Sequence, residues 1–308
     1  MIGGLGFVRE ADLIDPAGRH ERHLTGVFLV IASALAFSFA GVLTKSIAAD
    51  PWTIACWRGL IGGMLIALYV AWAGRAKPLR KSFNLGWRGW LLATVGGLSS
   101  LAFIYAFKLT YIANVAVIYA TVPFMAAGIS WGLIREKFRS QTAGMAAISL
   151  FGVVILVAGG IGSGKLVGDA VALIMTLGCA LYMVLIRMFQ DTPVVLAGSA
   201  SGFLLFFAGW FVVDPLAVTR QDAVLLSLFG LSFALAVVLW TEGTKLIPAA
   251  ESGLLGTAET PFAILLAWLL LAELPPLTSF VGGGIVLTAV FAHVAADIAP
   301  ARLLRRKV

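Results

Sequence analysis

Two stretches decide how this chain folds: IANVAVIYATVPFMAAGISWGLI, residues 112–134, and AESGLLGTAETPFAILLAWLLLA, residues 250–272. Each matches the roughly 20 apolar residues a helix needs to cross hydrocarbon. Each carries a proline near its middle, in Tyr119-Ala-Thr-Val-Pro123 and Thr257-Ala-Glu-Thr-Pro261. The flanks match as well. Lys108 precedes Glu136 by 28 positions, and Lys245 precedes Glu273 by 28. Further out, Gly26 to Lys45 and Gly168 to Arg187 both span 19 positions, and Pro51 and Pro193 share their offset of 142. Self-similarity at a fixed spacing marks a repeat architecture.

Composition sets the solvent. Of 308 residues, 60% are hydrophobic and 12% charged, where a soluble domain carries roughly a quarter charged. That excludes a water-exposed globule, and such hydrophobicity excludes disorder. Two cysteines, Cys56 and Cys179, exclude a disulfide scaffold. The expected fold is an all-α integral membrane protein of ten transmembrane helices, over residues 24–48, 51–73, 88–109, 112–134, 142–160, 168–188, 194–213, 223–245, 250–272 and 278–298. Continuous apolar runs, rather than period-two alternation, argue against a barrel. Residues 1–23 are polar and lack a short apolar signal core, so they read as a loose cytoplasmic tail.

Lysine and arginine orient the bundle. With the N-terminus inside, seventeen fall on the cytoplasmic side, including the basic tail at 299–308. Four, Lys45, Lys108, Lys165 and Arg220, fall outside, and Arg58 lies within span 2. The net charge of +7 is therefore a topology signal and not a nucleic-acid site. Both termini are expected in the cytoplasm.

Five spans per repeat force the second unit to enter from the opposite side. Residues 24–160 and 168–298 then form two inverted repeats, a plan of secondary transporters with the site near midplane between the halves. Exchanging the shapes of the halves supplies alternating access.

The ordered set of spans, Arg58, Pro123, Pro261, Glu136 and Glu273 resembles an EamA-type drug/metabolite transporter over residues 24–298. The resemblance implies a plasma-membrane carrier whose cavity is lined mainly by spans 3, 4, 8 and 9, with spans 5 and 10 peripheral. It is similar to the amino-acid exporter branch, aromatic-amino-acid members included, and implies export from a bacterial cytoplasm. The halves are not equivalent throughout, since the counterpart of Arg58 is Ala200.

Two ionisable residues lie deep. Arg58 is roughly 10 Å and Glu259 roughly 14 Å inside their spans at 1.5 Å per residue. A charge facing lipid there costs at least about 3 kcal/mol, so both must face protein or a wet cavity. Glu259 can attract an amino group, exchange a proton or serve structure. Arg58 is a coupling or structural charge, and a direct Arg58–Glu259 pair is one arrangement. Pro123 and Pro261 free the carbonyls of Tyr119 and Thr257 and are candidate hinges. Phe103, Tyr105, Tyr119, Trp240, Thr257 and Glu259 are the candidate substrate-binding residues, because rings with a few polar tips suit an amphipathic small molecule. Phe107 belongs to the same aromatic run of span 3. Trp52, Trp87, Trp90 and Trp131 sit near span ends as an interfacial belt, and Glu242 with Lys245 can pair along a helix. Glycines in spans 2 and 10 permit close helix approach or dimer contacts.

Other chemistry lacks its residues. The run from Gly159 to Lys165 resembles a phosphate-binding loop but continues with Leu166, where a magnesium-binding Ser or Thr is required. His20, His23 and His293 form no metal set. No cofactor is expected. The expected function is a secondary carrier that exports small metabolites; a multidrug or cationic-compound exporter, an importer and a membrane-embedded enzyme are the alternatives. Small-molecule substrate and membrane lipid are the expected partners, and a homodimer is open.

Overall fold

The computed structural model describes residues 16–73, 85–135, 140–159 and 164–305. Every regular element among them is a helix. In chain order these are α1 (Pro16–Ser46), α2 (Pro51–Ala73), α3 (Gly86–Leu109), α4 (Ile112–Tyr119), α5 (Val122–Ile134) and α6 (Ser140–Ala158). The second half supplies α7 (Leu166–Met188), α8 (Val194–Gly209), α9 (Arg220–Gly243), α10 (Ala249–Gly256), α11 (Glu259–Leu271) and α12 (Leu277–Arg305).

Seven stretches are long and apolar enough to cross a membrane: Glu21–Ser46, α2, α3, Ile112–Ile134, α6, α7 and α9. Three shorter apolar helices accompany them, α8, α11 and Leu277–His293. The expected span 7 is short because α8 ends at Gly209, ahead of turns through Asp214 and Pro215. Its 16 residues reach about 24 Å at 1.5 Å per residue, less than a typical core of about 30 Å. Span 9 is short because it is broken into α10 and α11. At the other extreme, α1 begins at Pro16, so residues 16–23 extend a helix where a loose tail was expected. Proline's fixed φ suits a first helical position. Glu136 and the Arg75–Lys81 cluster lie outside the described residues, as do parts of the Gly159–Lys165 run and of the 299–308 tail.

The two halves end their broken spans alike. Arg135 closes α5 at φ 56° and Ala272 closes α11 at φ 50°. These are the described non-glycine residues with positive φ, a conformation costing about 1–2 kcal/mol in an L residue. They stand 137 positions apart, the offset of the repeat in this region.

Packing follows the same correspondence. The pair α1–α9 is matched by α3–α7, α2–α9 by α3–α8, and α1–α11 by α5–α7. Exchange of the halves maps α2–α8 and α6–α12 onto themselves. At each of those two crossings a glycine pair lets the backbones meet. A Cβ on Gly202 would lie 2.5 Å from the Gly59 carbonyl oxygen, and one on Gly152 would lie 2.7 Å from that of Gly282. Ser199 Oγ donates to the Gly63 carbonyl at 2.7 Å beside the first crossing. Replacing Gly202 with alanine is expected to cost about 1–3 kcal/mol through overpacking, read as a lower thermal midpoint in detergent. Gly198→Ala, on the same helix but facing open space, is expected to leave the midpoint unchanged.

The interior is centred on Phe107, Ile112, Val115, Ile118, Leu156, Met175 and Val286, drawn from both halves. Phe28, Leu68, Phe151, Phe211 and Leu277 instead point outward and are exposed. Water would not tolerate so continuous an apolar surface; lipid does.

Candidate functional site

The site starts from two broken helices. In span 4, Pro123 cannot donate to Tyr119, so α4 stops at Tyr119 and α5 opens at Val122 with the proline in its first turn. The turn between them closes with i to i+3 bonds, Thr121 N to Ile118 O at 3.1 Å and Phe124 N to Thr121 O at 3.0 Å. Span 9 repeats this through Ala258 N to Leu255 O at 3.1 Å and Thr260 N to Thr257 O at 3.3 Å. The prolines therefore open second helices instead of kinking continuous ones. The Thr257 carbonyl, expected to be freed by Pro261, accepts from Thr260.

The break places Glu259 as the first residue of α11. A helix N-terminus carries unpaired amides and the positive end of the macrodipole, both of which favour a carboxylate. Span 1 holds this point: Ser38 Oγ donates to the Glu259 carbonyl at 3.0 Å, and also to Ala34 O at 2.6 Å. Span 4 holds it as well, where Thr260 Oγ1 donates to Ala116 O at 3.4 Å.

Between these helices lies a small central cavity. Phe37, Phe103, Phe107, Tyr119 and Glu259 supply its aromatic and acidic walls, and Ser38, Gly41 and Ala116 complete them with Val115, Thr260 and Ala263. Its volume of about 10 Å³ holds roughly one water, where metabolite pockets measure about 300–1,000 Å³. The helices are closed around the site. Among the described residues the Glu259 carboxylate has no hydrogen-bond or ion-pair partner, and Tyr119 and Cys179 lie within its electrostatic reach.

Of the expected binding residues, Phe103, Tyr119 and Glu259 meet in this cavity. Tyr105, Trp240 and Thr257 are not in its wall. Tyr105 follows the buried Ile104 on α3, on a different face from Phe103. Trp240 packs on Gly256, whose added Cβ would lie 2.8 Å from the indole ring. Thr257 belongs to the turn before α11. The wall also differs from the expected spans 3, 4, 8 and 9, because span 1 takes the place of span 8. Phe37 and Ser38 carried no sequence signal, since α1 is apolar on all sides over its membrane-crossing part.

Arg58 does not pair with Glu259. It is 5% exposed, and its guanidinium carbon lies 4.8 Å from the ring centre of Phe233, 5.1 Å from Phe229 and 5.9 Å from Phe103. Among the described residues its Nε has no hydrogen-bond partner. Desolvated cation–π contacts are worth up to about 2 kcal/mol each, so three rings can offset the cost of at least about 3 kcal/mol for a charge at this depth, but they give the N–H groups no directed acceptor. A larger open recess of about 490 Å³ lies between α2, α3 and α8; it is lined by Ala200, Trp90 and Phe203 among others and holds no ionisable side chain.

The two ends of the bundle are tied differently. At one end Glu273, just past α11, accepts from Lys45 at the end of α1 and from the backbone N–H of Ile112 at the start of α4. Their side chains are 20% (Lys45) and 11% (Glu273) exposed. Lys108 donates to the Ile47 carbonyl, and Asp222 accepts from Ala48 N at 2.8 Å. The buried Asp169 accepts from Thr110 at 2.6 Å and from Asn114 at 3.0 Å, and Ser279 donates to Asn114 Oδ1 at 2.6 Å. Replacing Asp169 with alanine strands Thr110 and Asn114 and is expected to cost about 1–3 kcal/mol in a denaturation curve.

At the opposite end Glu242 accepts from both Tyr69 and Lys245, the helix pair expected from sequence. The hydrogen bond to Glu242 holds the Lys245 ammonium above its usual pKa. His23 Nε2 pairs with Glu251 at 3.0 Å. These pairs are far more exposed than Lys45–Glu273. Trp87, Trp90 and Trp131 are exposed near span ends, as an interfacial belt requires, while Trp52 is half-buried.

Comparison with known proteins agrees with this architecture. Residues 24–158 match the model of the EamA-like transporter family. An uncharacterized transporter of Helicobacter pylori strain J99 is 27% identical over 242 residues, covering 73% of this chain and 80% of that protein. A solved crystal structure superposes with a TM-score of 0.60 at 18% identity, over 86% of this chain and 96% of its own, a likeness of fold. Through residues 24–158 this multi-pass membrane protein is similar to the EamA-like transporter family.

Proposed function

We propose that the protein is a secondary carrier that exports small metabolites, amino acids including aromatic ones, by alternating access between inverted halves at residues 24–160 and 168–298. The observation that carries this is Glu259. A carboxylate without a partner among the described residues sits at a helix break inside the bilayer-spanning bundle, walled by Phe37, Phe103, Phe107 and Tyr119. An ammonium group satisfies such a carboxylate, and rings accommodate an apolar side chain. The matched helix pairs and matched breaks support the inverted repeat. The lysine and arginine distribution supports both termini in the cytoplasm of a bacterial inner membrane. No nucleotide drives the cycle in this scheme; one charge crossing 100 mV yields about 2.3 kcal/mol, enough for a modest gradient.

A carboxylate among rings also suits an organic cation, so multidrug export is the second reading. Purified protein in liposomes distinguishes them. Saturable counterflow of phenylalanine, tryptophan and leucine is expected, with net flux that responds to imposed pH or voltage gradients. Counterflow of a lipophilic cation, with none for any amino acid, would establish the second reading and end the first. Flux that rises linearly with concentration would indicate a channel.

A further inference from the structure

We propose that Arg58 anchors the carboxylate of the transported substrate, and that the phenylalanines over it form a partition which the substrate's own apolar group displaces. The inference rests on the amino-acid reading above and names a second pole for that site.

A structural arginine inside a membrane protein holds carbonyls or carboxylates with its five donors. Arg58 is 95% buried, yet no hydrogen bond or ion pair engages it among the described residues, and its Nε is closed off from any acceptor. Its neighbours are three phenyl rings from two helices, Phe103 of α3 and Phe229 and Phe233 of α9. Rings attract a cation but accept no directed N–H bond of full strength. What this surrounding lacks is a planar anion that takes two parallel N–H bonds, which a carboxylate supplies.

The position fits. Phe103 faces Arg58 on one side and lines the Glu259 cavity on the other. Phe233 meets Phe37 edge-on at 6.3 Å, and Phe37 is also in the cavity wall. Arg58 is thus one ring from the cavity through Phe103 and two rings from it through Phe233 and Phe37. That aromatic layer has to move in any case, since the closed cavity holds about one water. Phe103 also meets Phe107 edge-on with ring centres 4.6 Å apart, so its displacement enlarges the cavity and uncovers the guanidinium together. The cation has no twin, because its repeat counterpart is Ala200, in the wall of an open recess without charge. One cation and one carboxylate, with rings between them, match a zwitterion with an apolar side chain, bound in one orientation.

The test uses full-length protein in detergent and in liposomes, with phenylalanine, phenylalaninamide (no carboxylate) and 3-phenylpropanoate (no ammonium). Wild-type protein is expected to bind phenylalanine at least about tenfold more tightly than the amide, the value of one charge-assisted bond. Arg58→Gln is expected to abolish that preference and the binding of 3-phenylpropanoate while retaining the amide, which also reports its fold. Arg58→Lys, which keeps a point charge without the fork, is expected to reduce the preference several-fold and serves if the glutamine variant does not fold. Equal binding of phenylalanine and its amide by wild type, or an unchanged preference in either variant, would overturn the proposal. Counterflow separates the two readings. Phenylalanine carried with an unchanged acid-to-amide preference in Arg58→Gln leaves the carrier standing and removes the anchor. Binding of 3-phenylpropanoate that requires Arg58, with no amino-acid counterflow, keeps the anchor and removes the amino-acid carrier.

Discussion

Glu259→Gln protein is expected to lose phenylalanine counterflow by roughly 10- to 100-fold, the worth of a hydrogen bond to a charged group. Glutamine preserves shape and an acceptor oxygen, and the structure gives the side chain no internal partner to lose, so folding is expected to be unaffected. The assay also separates two roles for the carboxylate. Counterflow exchanges labelled for unlabelled substrate and requires no net proton movement. If Glu259 holds the substrate ammonium, exchange fails together with gradient-driven uptake. If it only carries protons, exchange persists while uptake loses its response to pH. Full activity in both assays would remove Glu259 from the mechanism.

The second large effect is expected at the Lys45–Glu273 end, the outer end in the orientation proposed above. Glu273 joins the end of span 1 to the start of span 4 through Lys45 and Ile112. Both spans line the cavity, so the prediction is that this tie favours the closed arrangement on that side. Breaking a pair this far buried leaves Lys45 poorly compensated. A cost of about 1–3 kcal/mol falls on the closed arrangement, shifting the equilibrium toward an open one by about 5- to 150-fold. Cys179, which packs against the same core as Tyr119 of the cavity wall, serves as the reporter. In a background where Cys56 is replaced by alanine, Glu273→Gln is expected to raise the rate at which an impermeant maleimide reaches Cys179 from outside. Lys45→Met should do the same. A rate unchanged in both variants would make the pair a static brace.

Much of the scaffold was legible in the chain, and the residues show why. Runs such as 112–134 declare themselves by length and hydropathy, which require no knowledge of neighbours. The correspondence of Pro123 with Pro261 pointed to the paired breaks, because proline removes a donor wherever it stands. It did not show that the helices would end and restart, nor that Thr260 would take up the Thr257 carbonyl. The membership of the cavity wall was harder. A helix with lipid on one side and packed core on the other is apolar all round, so no periodicity says which face turns inward. Phe37 and Ser38 went unseen for that reason, and Tyr105 and Trp240 were expected in a wall they do not join.

Hydropathy and internal similarity thus sufficed to put this chain in a bilayer and to liken its halves, since both depend on residues near one another in order. Which polar groups lack partners was settled by packing. Arg58 is unsatisfied because Phe229 and Phe233 arrive from a helix some 170 positions away, and Glu259 because no cation among the described residues reaches it. An empty valence is a property of the assembled neighbourhood and is written in no single segment.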